Sequence, residues 1–192
     1  TRALLEGRPA SNVLLYGDAG TGKSSTVKAV ANAFADEGLR LIEVKKNQLY
    51  QIPDLVETLS ANPLKFILFI DDLSFSTNDN DFAALKAILE GSVSSRSSNL
   101  AVYATSNRRH LIKETWNDRN DMENNNGIHR SDTIQEKLSL VNRFGVTISY
   151  SAPSQKEYFE IVKGLAEKEH ITMDEKELCA EANKWELAHG GI

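Results

Sequence analysis

The chain has 192 residues, 41% hydrophobic and 26% charged, with a formal net charge of −5. That is the composition of one globular domain or a domain with a small appendage, and the negative charge argues against coating nucleic acid through bulk charge while leaving room for a local basic patch. One cysteine, Cys179, excludes an internal disulfide, the four histidines (His110, His129, His170, His189) lack zinc-site spacing, and the longest apolar run, Phe66 to Ile70, is far short of the roughly 18 residues of a membrane span.

Asn12 to Tyr16 (NVLLY) is nearly all apolar, as expected of a strand covered on both faces of a parallel sheet. Directly after it comes Gly17-x4-Gly22-Lys23-Ser24, a spacing that suits a phosphate. Glycines permit backbone conformations that turn several N–H groups toward one point, at the positive end of the following helix. In that reading Gly17, Asp18, Ala19, Gly20, Thr21, Gly22, Lys23, Ser24 and Ser25 line the phosphates. Lys23 adds charge at the β- and γ-phosphates, the Ser24 hydroxyl sits on Mg²⁺, and Ser25 touches the α-phosphate. The plainer alternative is a Gly-rich turn between strand and helix.

The helix should start near Gly22, carry Val27, Val30, Ala31 and Phe34 inward, and end before Gly38. Leu39 to Val44 (LRLIEV) reads as a strand, and Pro53 to Ala61 as a helix opened by its proline. The stretch between them, KKNQLYQIP, leaves Tyr50 isolated and is expected to pack it.

Lys65 to Leu73 (KFILFIDDL) is the strongest strand pattern. It sets two carboxylates at the carboxyl end of a strand, where open parallel sheets bind ligands. Asp71 is the candidate for holding the metal, which needs hard oxygen donors, and Asp72 for orienting and deprotonating a water. A turn carrying two solvated acids is the alternative. Asp81 to Gly91 reads as a helix stopped by its glycine.

Asn99 to Asn107 (NLAVYATSN) is a fourth strand, whose Asn107 would hold the attacking water or the γ-phosphate, with Thr105 and Ser106 as fallback polar groups. Arg108, Arg109, His110 and Lys113 follow as a basic cluster, with Arg96 as a further candidate; it is either a solvated face or a contact for nucleic-acid phosphates. Glu114 to Arg130 is too polar to pack and reads as an exposed loop. Thr133 with Glu136 fits a capping box for the helix that reaches Phe144. Arg143 closes that helix, either as a favourable cation at a helix C-terminus or as an arginine finger for an adjacent subunit. Val146 to Tyr150 supplies a fifth strand.

After Pro153 the pattern turns helical, with capping boxes at Ser154/Glu157 and Asp174/Glu177. Cys179, among Leu178, Ala182 and Trp185, is expected to be a buried core thiol. Residues 1–150 are therefore expected to form an α/β domain with a five-stranded, mainly parallel sheet, and residues 151–192 a small helical subdomain hinged around Ser151 to Pro153.

The elements in this order, NVLLYGDAGTGKSS, LRLIEV, FILFIDDLSF, ALKAILEG, YATSNRRHL and EKLSLVNRFG, resemble the AAA+ ATPases, and in particular a bacterial AAA+ family known only as a domain of unknown function. The resemblance implies a three-layer αβα P-loop NTPase core with a truncated α-helical lid, ATP or ADP with Mg²⁺, and rings or filaments in which Arg143 acts in trans. It assigns Lys23, Asp72, Asn107 and Arg143 to catalysis and Ser24 and Asp71 to the metal. Two departures stand out: Asp72 occupies a position usually held by Glu, which implies slow hydrolysis, and the lid arginine is expected beyond HGGI.

The function expected is a Mg-dependent ATPase that couples nucleotide state to assembly and to remodelling or loading of a protein or nucleic-acid client. An ATP-gated assembly module with negligible hydrolysis, a DNA-associated helicase-loader-like ATPase and a P-loop kinase stand as alternatives. Without a spanning segment or a basic-then-apolar leader the chain is read as cytoplasmic, with no membrane partner. Thr1 in place of Met and the ending HGGI are read as marks of a longer polypeptide.

Overall fold

The computed structural model describes residues 1–73, 85–86, 88–89, 98–107 and 139–188. The basic cluster, its candidate neighbour Arg96, the polar loop 114–130 and the Thr133/Glu136 box all lie outside them, as does most of the helix expected over 81–91. Five strands, β1 (Val13–Gly17), β2 (Leu39–Val44), β3 (Lys65–Ile70), β4 (Leu100–Ser106) and β5 (Val146–Tyr150), form one sheet in the order β2-β3-β4-β1-β5. Every neighbouring pair is parallel. The helices are α1 (Arg2–Leu5), α2 (Lys23–Ala33), α3 (Ile52–Ser60), α4 (Gln155–Lys168) and α5 (Glu175–Ala188).

Apolar side chains alternate across the sheet because successive residues of a strand point to opposite faces. Phe66, Leu68 and Ile70 of β3 pack on one face with Ile52 and Val56 of α3 and with Leu85, Ile88, Leu140 and Phe144. Ile67 and Phe69 face the other way, against Leu4 of α1 and Val27 of α2. Each such side chain contributes about 1.5–3 kcal/mol on burial. Helices thus cover both faces, which gives three layers and explains why β3 and β4 read as continuous apolar runs.

Two expectations fail, each for a local reason. Tyr50 does not pack; it is 70% exposed. Residues Lys46–Gln51 form a 3₁₀-helix that leads into α3, and Leu49 in it and Ile52 at the start of α3, three apart, both turn inward and leave Tyr50 between them facing out. Cys179 is not a core thiol but half-buried, and its neighbour Trp185 is 52% exposed. Along α5 no residue is fully buried, and among the described residues its main partner is one helix, α4.

The chain divides into two compact units, Thr1–Gly17 with Gly22–Tyr150, and Asp18–Thr21 with Ser151–Ile192. In the second, α4 opens with the expected reciprocal cap: Ser154 N donates to the Glu157 carboxylate (2.8 Å) and Glu157 N to Ser154 Oγ (3.4 Å). At α5 the cap is simpler, Lys176 N donating to the Asp174 carboxylate at 3.1 Å. Tyr158 O–H donates to the Ala182 carbonyl (3.1 Å) and joins the two helices. Among the described residues no helix is long and apolar enough to cross a membrane.

Candidate functional site

All five strands run the same way, so β1, β3 and β4 deliver their following residues to one end of the sheet. Ile70 is paired with Ala104 and Tyr16 with Ser106, which sets Asp71 and Asp72 beside the last residues of β4 and near the exit of β1.

Between β1 and α2 the backbone takes left-handed or otherwise glycine-favouring values at Gly17 (φ 134), Gly20 (φ 75) and Gly22 (φ 89). At Gly17 there is a second constraint, since a Cβ would lie 1.8 Å from the Tyr150 carbonyl oxygen of β5. Gly22 is the N-cap of α2, so the helix's unpaired N–H groups open directly onto this loop. Lys23, only 5% exposed, donates from Nζ to the Gly17 carbonyl (3.2 Å), holding its charge inside the loop. Ser24 is half-buried and Ser25 exposed.

Ser24 Oγ donates to Asp71 Oδ1 at 2.7 Å, so the two residues expected to hold a metal, far apart in sequence, are in direct contact. Thr105 Oγ1 donates to the same Asp71 oxygen and accepts from the Asp72 N–H at 2.9 Å. The Asp72 N–H also reaches Asp71 Oδ1, at 3.1 Å. Asp72 stands beyond the end of β3 with φ 52, a left-handed conformation that Asp and Asn tolerate better than longer or branched side chains. Its carboxylate accepts from Asn107 Nδ2 at 2.9 Å.

Burial pushes the Asp71 carboxyl up, but hydrogen bonds from Thr105, Ser24 and the Asp72 N–H, with the charge of Lys28, outweigh it and hold the group below the ordinary aspartate range. Whatever stability this adds is present above the unfolded-state pKa and disappears as pH falls through the folded value. Near neutral pH Asp71 is an anion, and a hydroxyl with a carboxylate 2.7 Å away is a donor set that suits a small hard cation such as Mg²⁺.

Arg143 follows the helical residues 139–142, is half-buried, and its N–H donates to the Leu140 carbonyl (3.1 Å). Shortly after it Val146 pairs with Val13, whereas the loop leaves β1 at Gly17, opposite Tyr150. That length of strand spans about 13 Å. The backbone of Arg143 therefore starts from the amino end of the sheet, away from its own chain's loop and acids.

Thr105 was legible only as a fallback, yet it organises both acids. The signal was there: residues 105 and 107 share one side of a strand by alternation, while Ser106 faces the other. Thr105→Val should remove the hydroxyl that donates to the Asp71 carboxylate and one of the two acceptors of the Asp72 N–H, a cost of about 1–3 kcal/mol read as a lowered urea midpoint, and Thr105→Ser should recover most of it. Equal midpoints for Val and Ser would show that the hydroxyl contributes nothing.

The sequence profile of a family described as "Protein of unknown function (DUF815)" matches residues 1–192, and the chain belongs to that family. No curated protein matches it. Among solved structures it is similar to the Aeropyrum pernix ORC2 protein, in ADPNP and ADP complexes, at 18% identity over 86% of this chain and 48% of that one, with a TM-score of 0.54. It is also similar to the Thermotoga maritima RuvB Holliday junction branch migration motor, at 18% identity over 94% of this chain and 51% of that one, TM-score 0.51. A point mutant of the same RuvB gives 19% identity, 94% and 52% coverage, and a TM-score of 0.56. The chain spans about half the length of these neighbours. The shared architecture is the P-loop NTPase fold implied by the resemblance to AAA+ ATPases.

Proposed function

We propose that this member of the family is a Mg-dependent ATP-binding and ATP-hydrolysing AAA+ module whose nucleotide state governs self-assembly and action on a macromolecular client. The observation that carries the reading is the contact of Ser24 with Asp71 beside the glycine loop and Lys23. A hydroxyl bonded to a carboxylate, next in sequence to a buried ammonium at a helix N-terminus, supports a site for phosphate and its metal. Gly17 to Ser25 cradle the phosphates, and Lys23 neutralises charge on them. Ser24 and Asp71 hold Mg²⁺, which supplies charge compensation on the phosphoryl oxygens.

Asp72 accepts the proton of a water whose oxygen attacks the γ-phosphorus as the bond to the β–γ bridging oxygen breaks, releasing ADP and inorganic phosphate, and Asn107, already bonded to Asp72, orients that water or the γ-phosphate. Arg143, at the far end of its own sheet, acts in trans on a neighbouring subunit. The client is a protein or a nucleic acid. DNA association finds support in a neighbour described as a branch migration motor, and Arg108 and Arg109 are its candidate contacts. An ATP-gated assembly module with little turnover is the second reading. It is favoured by the short Asp72 side chain, held by Asn107 on a left-handed backbone.

Sizing the protein with ATP, ADP and no nucleotide, alongside phosphate release, tests both. Mg-dependent release together with larger assemblies in ATP supports the ATPase. Assembly without release supports the gated module. A chain that neither binds ATP nor changes size with it overturns the proposal.

A further inference from the structure

The phosphate loop carries a carboxylate that the proposed hydrolysis does not use. Asp18 Oδ2 accepts a hydrogen bond from the Ala152 N–H at 2.8 Å. Ala152 stands at the threshold of α4. Pro153 has no N–H to give and disfavours a helical conformation for the residue before it. Ser154 N is already bonded to the Glu157 carboxylate. The Ala152 N–H is thus the last main-chain donor before the capped helix, and it is gripped by a residue of the loop.

The loop's grouping points the same way. Asp18–Thr21 belongs to the compact unit of Ser151–Ile192, whereas Gly17 and Gly22 on either side belong to the other. Both flanking glycines have positive φ, 134 and 89, in the backbone region where glycine turns most freely. Within the segment Thr21 Oγ1 donates to the Asp18 carbonyl (2.8 Å), closing Asp18–Thr21 into a small self-bonded turn. The four residues carry a hydrogen bond of their own and a side-chain tie to the start of α4.

We propose that Asp18 is a positioning residue that fastens the phosphate loop to the start of the helical unit, so that phosphate bound by the loop orders residues 152–168. This rests on the reading of the loop as an ATP site and names how that site is linked to the helices. The tie depends on an acceptor oxygen at position 18, so Asp18→Ala removes it and Asp18→Asn keeps a neutral, weaker version.

Hydrogen exchange of the intact chain, with and without Mg-ATP, reads the tie directly, and equilibrium ATP binding is measured in parallel. In the wild type ATP should slow exchange both in the loop and across residues 152–168. In Asp18→Ala the loop should still be protected and ATP should bind about fivefold more weakly, the loss of one hydrogen bond. ATP-induced protection of 152–168 should then fall to less than half, with Asp18→Asn intermediate.

Wild-type-level protection of 152–168 in Asp18→Ala would overturn the assignment, as would a wild type whose ATP-induced protection never reaches 152. If Asp18→Ala does not fold, Asp18→Asn decides alone, and protection equal to wild type counts against the tie. Failure of the wild type to bind ATP at all removes the function reading itself, which the parallel binding measurement distinguishes from failure of the tie alone.

Discussion

Gly17→Ala is expected to leave little folded protein. A Cβ there would lie 1.8 Å from the Tyr150 carbonyl oxygen and 2.7 Å from its carbon, both main-chain atoms of a paired strand that cannot rotate aside. The backbone value, φ 134, is itself costly for any residue but glycine. Relief requires separating β5 from β1, a loss of more than about 4–5 kcal/mol. That approaches the whole stability of a typical domain, about 5–15 kcal/mol. Urea unfolding followed by circular dichroism checks this. Gly22→Ala is the control: nothing lies within 4 Å of its added Cβ, so only its positive φ of 89 opposes the change. That should cost about 1–2 kcal/mol. A Gly17→Ala protein with the same midpoint as Gly22→Ala would mean that the β1–β5 approach is not as close as described.

The second large effect concerns ligand rather than fold. Lys23→Met should keep the chain folded yet weaken ATP binding by about 100-fold, on the order of 3 kcal/mol for losing a charge-assisted contact to phosphate. Lys23 is 5% exposed, and its ammonium has the Gly17 carbonyl as one partner. Burying such a charge is expensive, and an apolar side chain of similar length replaces it at small cost to the unliganded protein. The thermal midpoint without nucleotide should therefore stay near that of the wild type. The upward shift produced by Mg-ATP, which grows with the ratio of ligand concentration to Kd, should nearly vanish. An equal ATP-induced shift in the variant would remove Lys23 from the site.

Much of this was legible in the residues because the relevant physics is local. NVLLY followed by a glycine loop, KFILFIDD and the Ser154/Glu157 box each specify an element by apolar runs, turn chemistry or capping over a few neighbours. The misreadings were of another kind. Nothing near Tyr50 says whether a 3₁₀ turn will point it in or out, because Leu49 and Ile52 settle that by reaching a core built from distant strands. Cys179 has apolar neighbours in sequence, but burial depends on how many other elements surround its helix.

By itself the sequence determined the five strands and the helices over 23–33, 52–60, 155–168 and 175–188, that a glycine loop precedes a lysine and a serine, and that two adjacent acids end a strand; it did not show α1 or the 3₁₀-helix. The tertiary structure alone decided who meets whom. In a parallel sheet, partners come from segments tens of residues apart, and a slip of one residue would turn every side chain to the opposite face. The register Ile70 opposite Ala104 brings Thr105 rather than Ser106 against Asp71, and puts Asn107 within reach of Asp72. No local preference encodes that choice, because it is made by packing two faces of the sheet at once.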